Sequence, residues 1–296
     1  MPELPEVETV ANGVNERVRG QRIESVWLSS KPQTFKTPAA EMAETLAGRR
    51  IERVRRVGKH IVFDLVCGDL TCGGRDSGNP KSGETPSRVQ WIVHLGMTGR
   101  LLVCASGVEL PPHTHAVLGI GSGRELRFVD PRRFGRLAIH LSPEAGAEEG
   151  MTGGFRGPGS EPLSISPSDF VALFRGRRLA IKSALLNQRL LQGVGNIYAD
   201  ESLFRAGIRP KRMAGRLRKA ELDRLHASVQ SVLREAIALG GSSVSDYVDA
   251  DGVRGFFQLE HRVYLRTGEP CLVCGTPIRR IVLSGRGTHY CPQCQS

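Results

Sequence analysis

The sequence predicts an α+β protein of several domains: a β-sandwich behind one N-terminal helix, then a mainly helical domain, then a small cysteine-rich ribbon. Three observations predict it. Eight short β-patterned segments follow one another between residues 22 and 141, helical periodicity takes over after residue 163, and residues 271–294 hold two Cys-x-x-Cys turns.

The chain opens with "MPELPEVETV", where two prolines and three glutamates crowd the first eight residues. Val7, Val10, Val14 and Val18 then share one helical face, starting from a proline in the first turn and stopping at Gly20. The β segments follow as "RIESVWLS", "RIERVRRV", "HIVFDLV", "VQWIVHLGM", "RLLVCA", "HAVLGI", "ELRFVD" and "RLAIHL", with Gly, Pro and Ser between them. Between Cys67 and Arg88, "GDLTCGGRDSGNPKSGETPS" is too polar to pack and reads as a surface loop. Residues 142–162 have the composition of an interdomain linker.

Helical signals dominate beyond it. Ser166 is an N-cap with Pro167 at the first helical position. Leu222, Leu225, Val229, Val232 and Ile237 line one face of a longer helix that ends at Gly240 and Gly241. The expected organisation is a sandwich over 1–141, a linker over 142–162, a helical domain over 163–262 and a ribbon over 263–296.

The 296 residues carry a formal charge of +11, with 41 Lys and Arg against 30 Asp and Glu. So basic a chain suits a polyanion, nucleic acid first, although an anionic membrane surface would fit the same number. The N-terminus lacks the basic and apolar regions of a secretory signal, and no apolar run approaches the roughly 18 residues of a membrane span. A cytosolic protein is expected, and its seven cysteines read as metal ligands or inert core before disulfides.

Cys271, Cys274, Cys291 and Cys294 have the spacing of two knuckles joined by a β-hairpin around one Zn²⁺. Four thiolates fill a tetrahedron and leave no position for water, so the site is expected to be structural. The hairpin tip "SGRGTH" offers Arg286 for a phosphate or groove contact. His289 beside it reads as a packing residue. His113 and His115 have a ligand-like spacing but lack a third ligand nearby, and Cys67, Cys72 and Cys104 lack a partner motif. In "LLNQRLLQGVGNIYADESLFRAG", two apolar segments meet at Gly193-Val194-Gly195, with Asn196 read as cap of the second helix and Gly207 as its end. Such a turn suits a phosphate on free N–H groups, or an ordinary helix–helix corner; both readings stay open.

Taken together, "MPELPEVE", "GKH", "HLGMTGR", "DPRRFGR", "LLNQRLLQGVGNIYADE", the Gly-Gly-Ser-Ser to Phe-Phe-Gln stretch and "GRGTHYCPQC" resemble the formamidopyrimidine-DNA glycosylases, a family shared with endonuclease VIII. The resemblance spans nearly the whole chain. It implies a β-sandwich, a helix-two-turns-helix domain, a zinc ribbon, double-stranded damaged DNA as partner, and a monomer in the cytoplasm, associated with the nucleoid. No organic cofactor is implied.

The resemblance also implies roles. Removal of Met1 would expose Pro2 as a secondary amine that attacks C1′ of the damaged nucleotide. An α-amino group titrates near about 8, so a neutral fraction exists at pH 7. Glu3 is then the acid for sugar-ring opening, Lys59 assists elimination, and Arg286 serves the second elimination. Met97, Arg132 and Phe134 match the residues that fill the gap left by an everted base. His94, His113, Arg177, Lys182, Asn196 and Tyr264 match phosphate contacts, Arg177 standing where some members have lysine. Glu6, Ser243 and Tyr247 are expected around the lesion pocket, the last two on a lesion-capping loop over about 240–258. The Arg132–Phe134 pair and that loop point to the oxidised-purine branch. The alternatives are an endonuclease VIII-like enzyme for oxidised pyrimidines and a catalytically silent zinc-ribbon damage binder. The sequence contains no Gly-x-Ser-x-Gly elbow, which speaks against an acyl-transfer hydrolase.

Overall fold

A computed structural model of the chain describes residues 1–67, 87–121, 123–141, 154–243 and 247–296. The surface loop expected between Cys67 and Arg88, with Cys72, and most of the expected linker lie outside these residues. Two compact units emerge: residues 1–2, 6–156 and 247–254 form the first, and residues 3–5, 157–243 and 255–296 the second.

The first unit is a sandwich of two four-stranded antiparallel sheets. One has the order β1 (Ile23–Leu28), β6 (Thr114–Ile120), β7 (Arg124–Val129), β5 (Arg100–Ala105); the other has β2 (Arg50–Val57), β3 (His60–Val66), β4 (Arg88–His94), β8 (Arg136–Leu141). All eight expected strands form. Phe63 and Trp91, both fully buried, meet at 4.8 Å in the core. Helix α1 (Leu4–Val18) adds Val7, Val10, Val14 and Val18 to that core, each burial contributing roughly 1.5–3 kcal/mol.

Strand β2 buries Ile51, Val54 and Val57, a spacing of three rather than two. A register shift between Ile51 and Arg53 against β3, a bulge, puts Ile51 and Val54 on one face, and Val57 faces the other way, packing with Val62 and Ile92. The eight-residue helix α2 (Ala39–Leu46) is absent from the expectations above. It buries only Met42 and Leu46 and has no side-chain cap, so its periodic signal is a single i,i+4 pair.

The second unit holds α3 (Pro167–Phe174), α4 (Ile181–Leu185), α5 (Asn196–Arg205), α6 (Lys219–Ala238) and the hairpin β9 (Arg279–Leu283) and β10 (Arg286–Tyr290). Ser166 caps α3 through its hydroxyl, which accepts from Asp169 N–H at 3.1 Å, and Pro167 opens the helix as expected. Helix α6 buries Leu222, Leu225, Val229 and Val232 as expected, but Leu233 and Ala236 complete the face and Ile237 is only partly buried. Among the described residues, no helix is long and apolar enough to cross a membrane.

Candidate functional site

Residues 3–5 are built into the second unit. Leu4 N–H donates to Gly193 O at 3.0 Å, and Glu3, 5% exposed, accepts from Ile197 N–H at 3.3 Å. Two glycines admit them. A Cβ on Gly195 would lie 2.1 Å from the Glu3 carboxyl carbon, and one on Gly193, whose φ is +86°, would lie 2.8 Å from Leu4 Cδ1. Gln188 staples the turn, accepting from Gly193 N–H at 2.9 Å and donating to Val194 O at 2.8 Å. The group that accepts from the start of α5 is therefore the chain's own Glu3 carboxyl, where a phosphate was one expectation. Asn196 also departs from expectation. It is the first residue of α5 rather than its cap, Gly195 occupies the cap, and the Asn196 amide donates to Gly287 O at 3.0 Å.

Lys182 is expected at a phosphate-contact position, yet it is 1% exposed. Its ammonium lies 2.7 Å from Asp200 Oδ1 and donates to Gly287 O at 3.0 Å and Thr288 Oγ1 at 2.8 Å. Two hydrogen bonds and the ion pair enclose the ammonium, and its burial keeps it from solvent, where a phosphate contact would need it. Burial pulls the Lys182 ammonium below the ordinary lysine range, and Asp200 opposes that pull. Asp200 Oδ2 also accepts from His289 N–H at 2.9 Å, which makes His289 the packing residue expected. Tyr264 joins the group: Asn196 bonds its hydroxyl, and burial raises its pKa. Its backbone N–H, with those of Arg262 and Val263, is collected by buried Glu201 at 2.8–3.0 Å. Arg177 is partly exposed, and its Nε donates to Leu173 O at the end of α3.

Arg286 stands exposed at the hairpin tip. Leu283 and Arg286 are paired, and the two residues between them, Ser284 and Gly285, have φ of 50° and 72°, the two positive values a type I′ turn needs. Behind it the four cysteine sulfurs lie within 4.8 Å of one another, with pairs at 3.9 and 3.5 Å. Zinc–sulfur bonds of about 2.3 Å at tetrahedral angles need sulfurs about 3.8 Å apart, so the donor set fits one structural Zn²⁺. Backbone N–H groups of Val273 and Cys294 point at Cys271 Sγ and Cys291 Sγ, at 3.5 and 3.3 Å, and would support thiolate charge. His115 is no ligand, because Ser29 Oγ and Asp130 O engage its two ring nitrogens. Cys67, read above as lacking a partner motif, is disulfide-bonded, whereas Cys104 is free.

In the first unit, Lys59 sits in the two-residue turn joining β2 to β3, where Gly58 has φ 59°. His94 faces it electrostatically. Burial, then His60, Lys59 and Arg136, bring the His94 pKa down to about 4, so its ring is neutral at physiological pH. Its Nδ1 accepts from Gly96 N–H at 3.1 Å, which puts the remaining proton on Nε2.

Buried Asp130 organises the expected wedge. It accepts from Thr98 Oγ1 at 2.6 Å, Gly135 N at 2.7 Å and Arg132 N at 3.3 Å. Gly96 approaches the 134–135 backbone so closely that a Cβ there would meet Gly135 N at 2.5 Å. The result presents Met97 and Phe134, 40% and 47% exposed, with the Arg132 guanidinium 4.9 Å from the Phe134 ring centre. His113 is exposed beside it in a positive-φ conformation, its carbonyl accepting from Asp130 N–H. Sequence reasoning missed Asp130, Asp200 and Thr288, whose roles depend on burial; the signal for Asp130 was its place at the head of "DPRRFGR".

Glu6 and Tyr247, expected around the lesion pocket, are buried together in the first unit, the Tyr247 hydroxyl donating to Glu6 O at 3.3 Å. Ser243 works within the second unit, its Oγ accepting from Gly255 N–H at 2.9 Å and its own N–H donating to Gln258 Oε1 at 2.8 Å. Residues 244–246 of the expected capping loop lie outside the described residues.

Three family models match the chain: the formamidopyrimidine-DNA glycosylase N-terminal domain over residues 1–137, the H2TH domain of the same glycosylases over 158–248, and a zinc finger found in FPG and IleRS over 268–296. A formamidopyrimidine-DNA glycosylase of Solibacter usitatus is 44% identical over 100% of this chain and 99% of its own. A Lactococcus lactis FPG mutant in complex with Fapy-dG-containing DNA superposes with a TM-score of 0.82 at 32% identity, over 100% of both chains. The Lactococcus lactis Fpg bound to abasic-site DNA gives 0.81 at 31% identity, over 99% of both.

Proposed function

Because the chain belongs to the formamidopyrimidine-DNA glycosylase family, we propose that it is a bifunctional base-excision-repair enzyme, a DNA glycosylase and abasic-site lyase that removes oxidised purines, 8-oxoguanine and formamidopyrimidines, from duplex DNA. The observation that carries this reading is the built-in N-terminus: Glu3 is buried against the Gly193–Gly195 turn, one residue from Pro2. A protein that only binds DNA has no use for an acid held there.

Once Met1 is removed, the Pro2 nitrogen bonds C1′, the glycosidic bond breaks, and the base leaves with the electron pair while the amine sheds its proton. Glu3 delivers a proton to O4′ as the C1′–O4′ bond opens, leaving an iminium whose positive charge needs no added proton because the amine is secondary. That iminium is the electron sink for two eliminations. Loss of a C2′ proton expels the 3′ phosphate, with Lys59 assisting, and loss of a C4′ proton then expels the 5′ phosphate, with Arg286 assisting. Met97, Arg132 and Phe134 fill the space of the everted nucleotide, the guanidinium bonding the widowed cytosine. His94 Nε2–H, His113, Arg177, Asn196 and Tyr264 serve the backbone. Zinc, held by Cys271, Cys274, Cys291 and Cys294, keeps the hairpin folded and takes no part in the chemistry. The enzyme works as a cytoplasmic monomer on nucleoid DNA.

The test is borohydride trapping on a duplex carrying 8-oxoguanine opposite cytosine, followed by mass spectrometry. An adduct on a peptide beginning at Pro2 is expected. Tight binding without a trapped adduct, on oxidised-purine and oxidised-pyrimidine duplexes alike, would overturn the enzymatic reading.

A further inference from the structure

The Arg286 guanidinium makes no hydrogen bond or ion pair among the described residues, so its aim depends on its backbone. That backbone is tied down from behind. Thr288 Oγ1 donates to Arg286 O at 3.2 Å and accepts from Lys182 Nζ at 2.8 Å. Gly287 O accepts from both Lys182 Nζ and Asn196 Nδ2, each at 3.0 Å. Ser284 Oγ, at the turn itself, lies 2.8 Å from Ser183 Oγ. Lys182 is in turn held by Asp200, which also receives His289 N–H.

Apart from the Thr288–Arg286 bond within the hairpin and the Lys182–Asp200 pair between α4 and α5, the ties run from α4 or α5 to the hairpin, and Lys182, Asp200 and Thr288 are at most 1% exposed. A lysine serving DNA phosphate would keep its head in solvent; this one is a buried strut. Burying the Lys182–Asp200 pair costs desolvation that the Coulomb attraction alone does not reliably return. Placement of the groups it holds is what such a pair can contribute.

We infer that Lys182, Asp200 and Thr288 are positioning residues for Arg286, and that this buried network sets how far the enzyme proceeds from the first elimination to the second. The inference rests on the reading of Arg286 given under the proposed function. Proton transfer is sensitive to placement: about 1 Å of misalignment can cost about 10²-fold, while the first elimination, which does not use Arg286, is spared.

The experiment uses the full zinc-loaded chain on a preformed abasic-site duplex, resolving by gel the 3′ end left by one elimination from the 3′ phosphate left by two. Thr288→Val removes both hydroxyl bonds without stranding a buried charge and is the primary variant. We expect its ratio of second to first elimination to fall about tenfold, the cost of about one buried hydrogen bond, with borohydride trapping retained. Thr288→Ser restores the hydroxyl and the ratio, and Lys182→Met lowers the ratio further. A wild-type ratio in T288V, with one zinc per chain and the wild-type melting temperature, overturns the inference. R286A separates the two levels. If R286A keeps the wild-type ratio, the role of Arg286 itself fails and the inference falls with it; if R286A loses the second elimination while T288V does not, only the network is refuted.

Discussion

Replacing Gly195 by alanine adds one carbon where the Glu3 carboxylate now sits. Its φ and ψ of −129° and −161° are extended values open to any residue, so the backbone does not object. The conflict is with the side chain: the new Cβ would lie 2.1 Å from Glu3 Cδ and 2.3 and 2.6 Å from its oxygens. Ordinary contact begins near about 3.5 Å, so the carboxylate must retreat by more than about 1 Å. That breaks the 3.3 Å bond from Ile197 N–H, worth about 1 kcal/mol, and overpacks the site at a further cost of about 1–3 kcal/mol. The sum corresponds to a melting temperature lower by roughly 5–10 °C. An acid displaced by that distance loses its alignment with O4′, and single-turnover excision of 8-oxoguanine is expected to slow by about 10²-fold or more. Single-turnover excision kinetics and a thermal scan on the same preparation read both. A G195A enzyme that excises at the wild-type rate would refute the argument that this glycine exists to seat Glu3. Gly193→Ala is a control of a different kind, since its φ of +86° adds backbone strain of roughly 1–2 kcal/mol to the clash with Leu4.

Three further outcomes are expected. Asp130→Ala leaves the buried Gly135 N–H without its 2.7 Å acceptor, costing about 2–4 kcal/mol in denaturant titration and loosening the loops that present Met97 and Phe134. His94 titrates near 4 when folded against about 6.5 when unfolded, so as pH falls the unfolded chain takes the proton first. Stability present above pH 6.5 is therefore lost progressively as pH falls through 4, by up to about 3 kcal/mol, and His94→Gln should flatten the melting-temperature profile across that window. Elemental analysis should find one zinc per chain, and its removal by a chelator should speed amide exchange in residues 268–296 while leaving the β3 and β4 amides protected.

The elements that could be read from sequence are those whose signal is local. Strands β3 and β4 show long buried runs, α1 shows valines at spacings of three and four, and the four cysteines carry their own spacing rule. Helix α2 escaped because a single apolar pair is too short a periodic signal, and the bulge in β2 escaped because the extra residue becomes visible only against its partner strand.

The functional residues divide along the same line. Pro2, Glu3, Lys59 and Arg286 stand in local motifs, which is why the resemblance proposes them for the chemistry, and the four zinc ligands carry their own spacing. What the order could not convey is which polar atoms face one another far apart in the chain. Lys182 looks like any surface lysine until Asp200, Gly287 and Thr288 are found around its ammonium, and nothing in the residue order shows that Glu3 accepts from Ile197 N–H at the start of α5. A charge's role follows from its solvation and its partners. Only tertiary structure decides these, because burial and close approach arise from packing segments remote in sequence, whereas propensity and spacing act within a few residues.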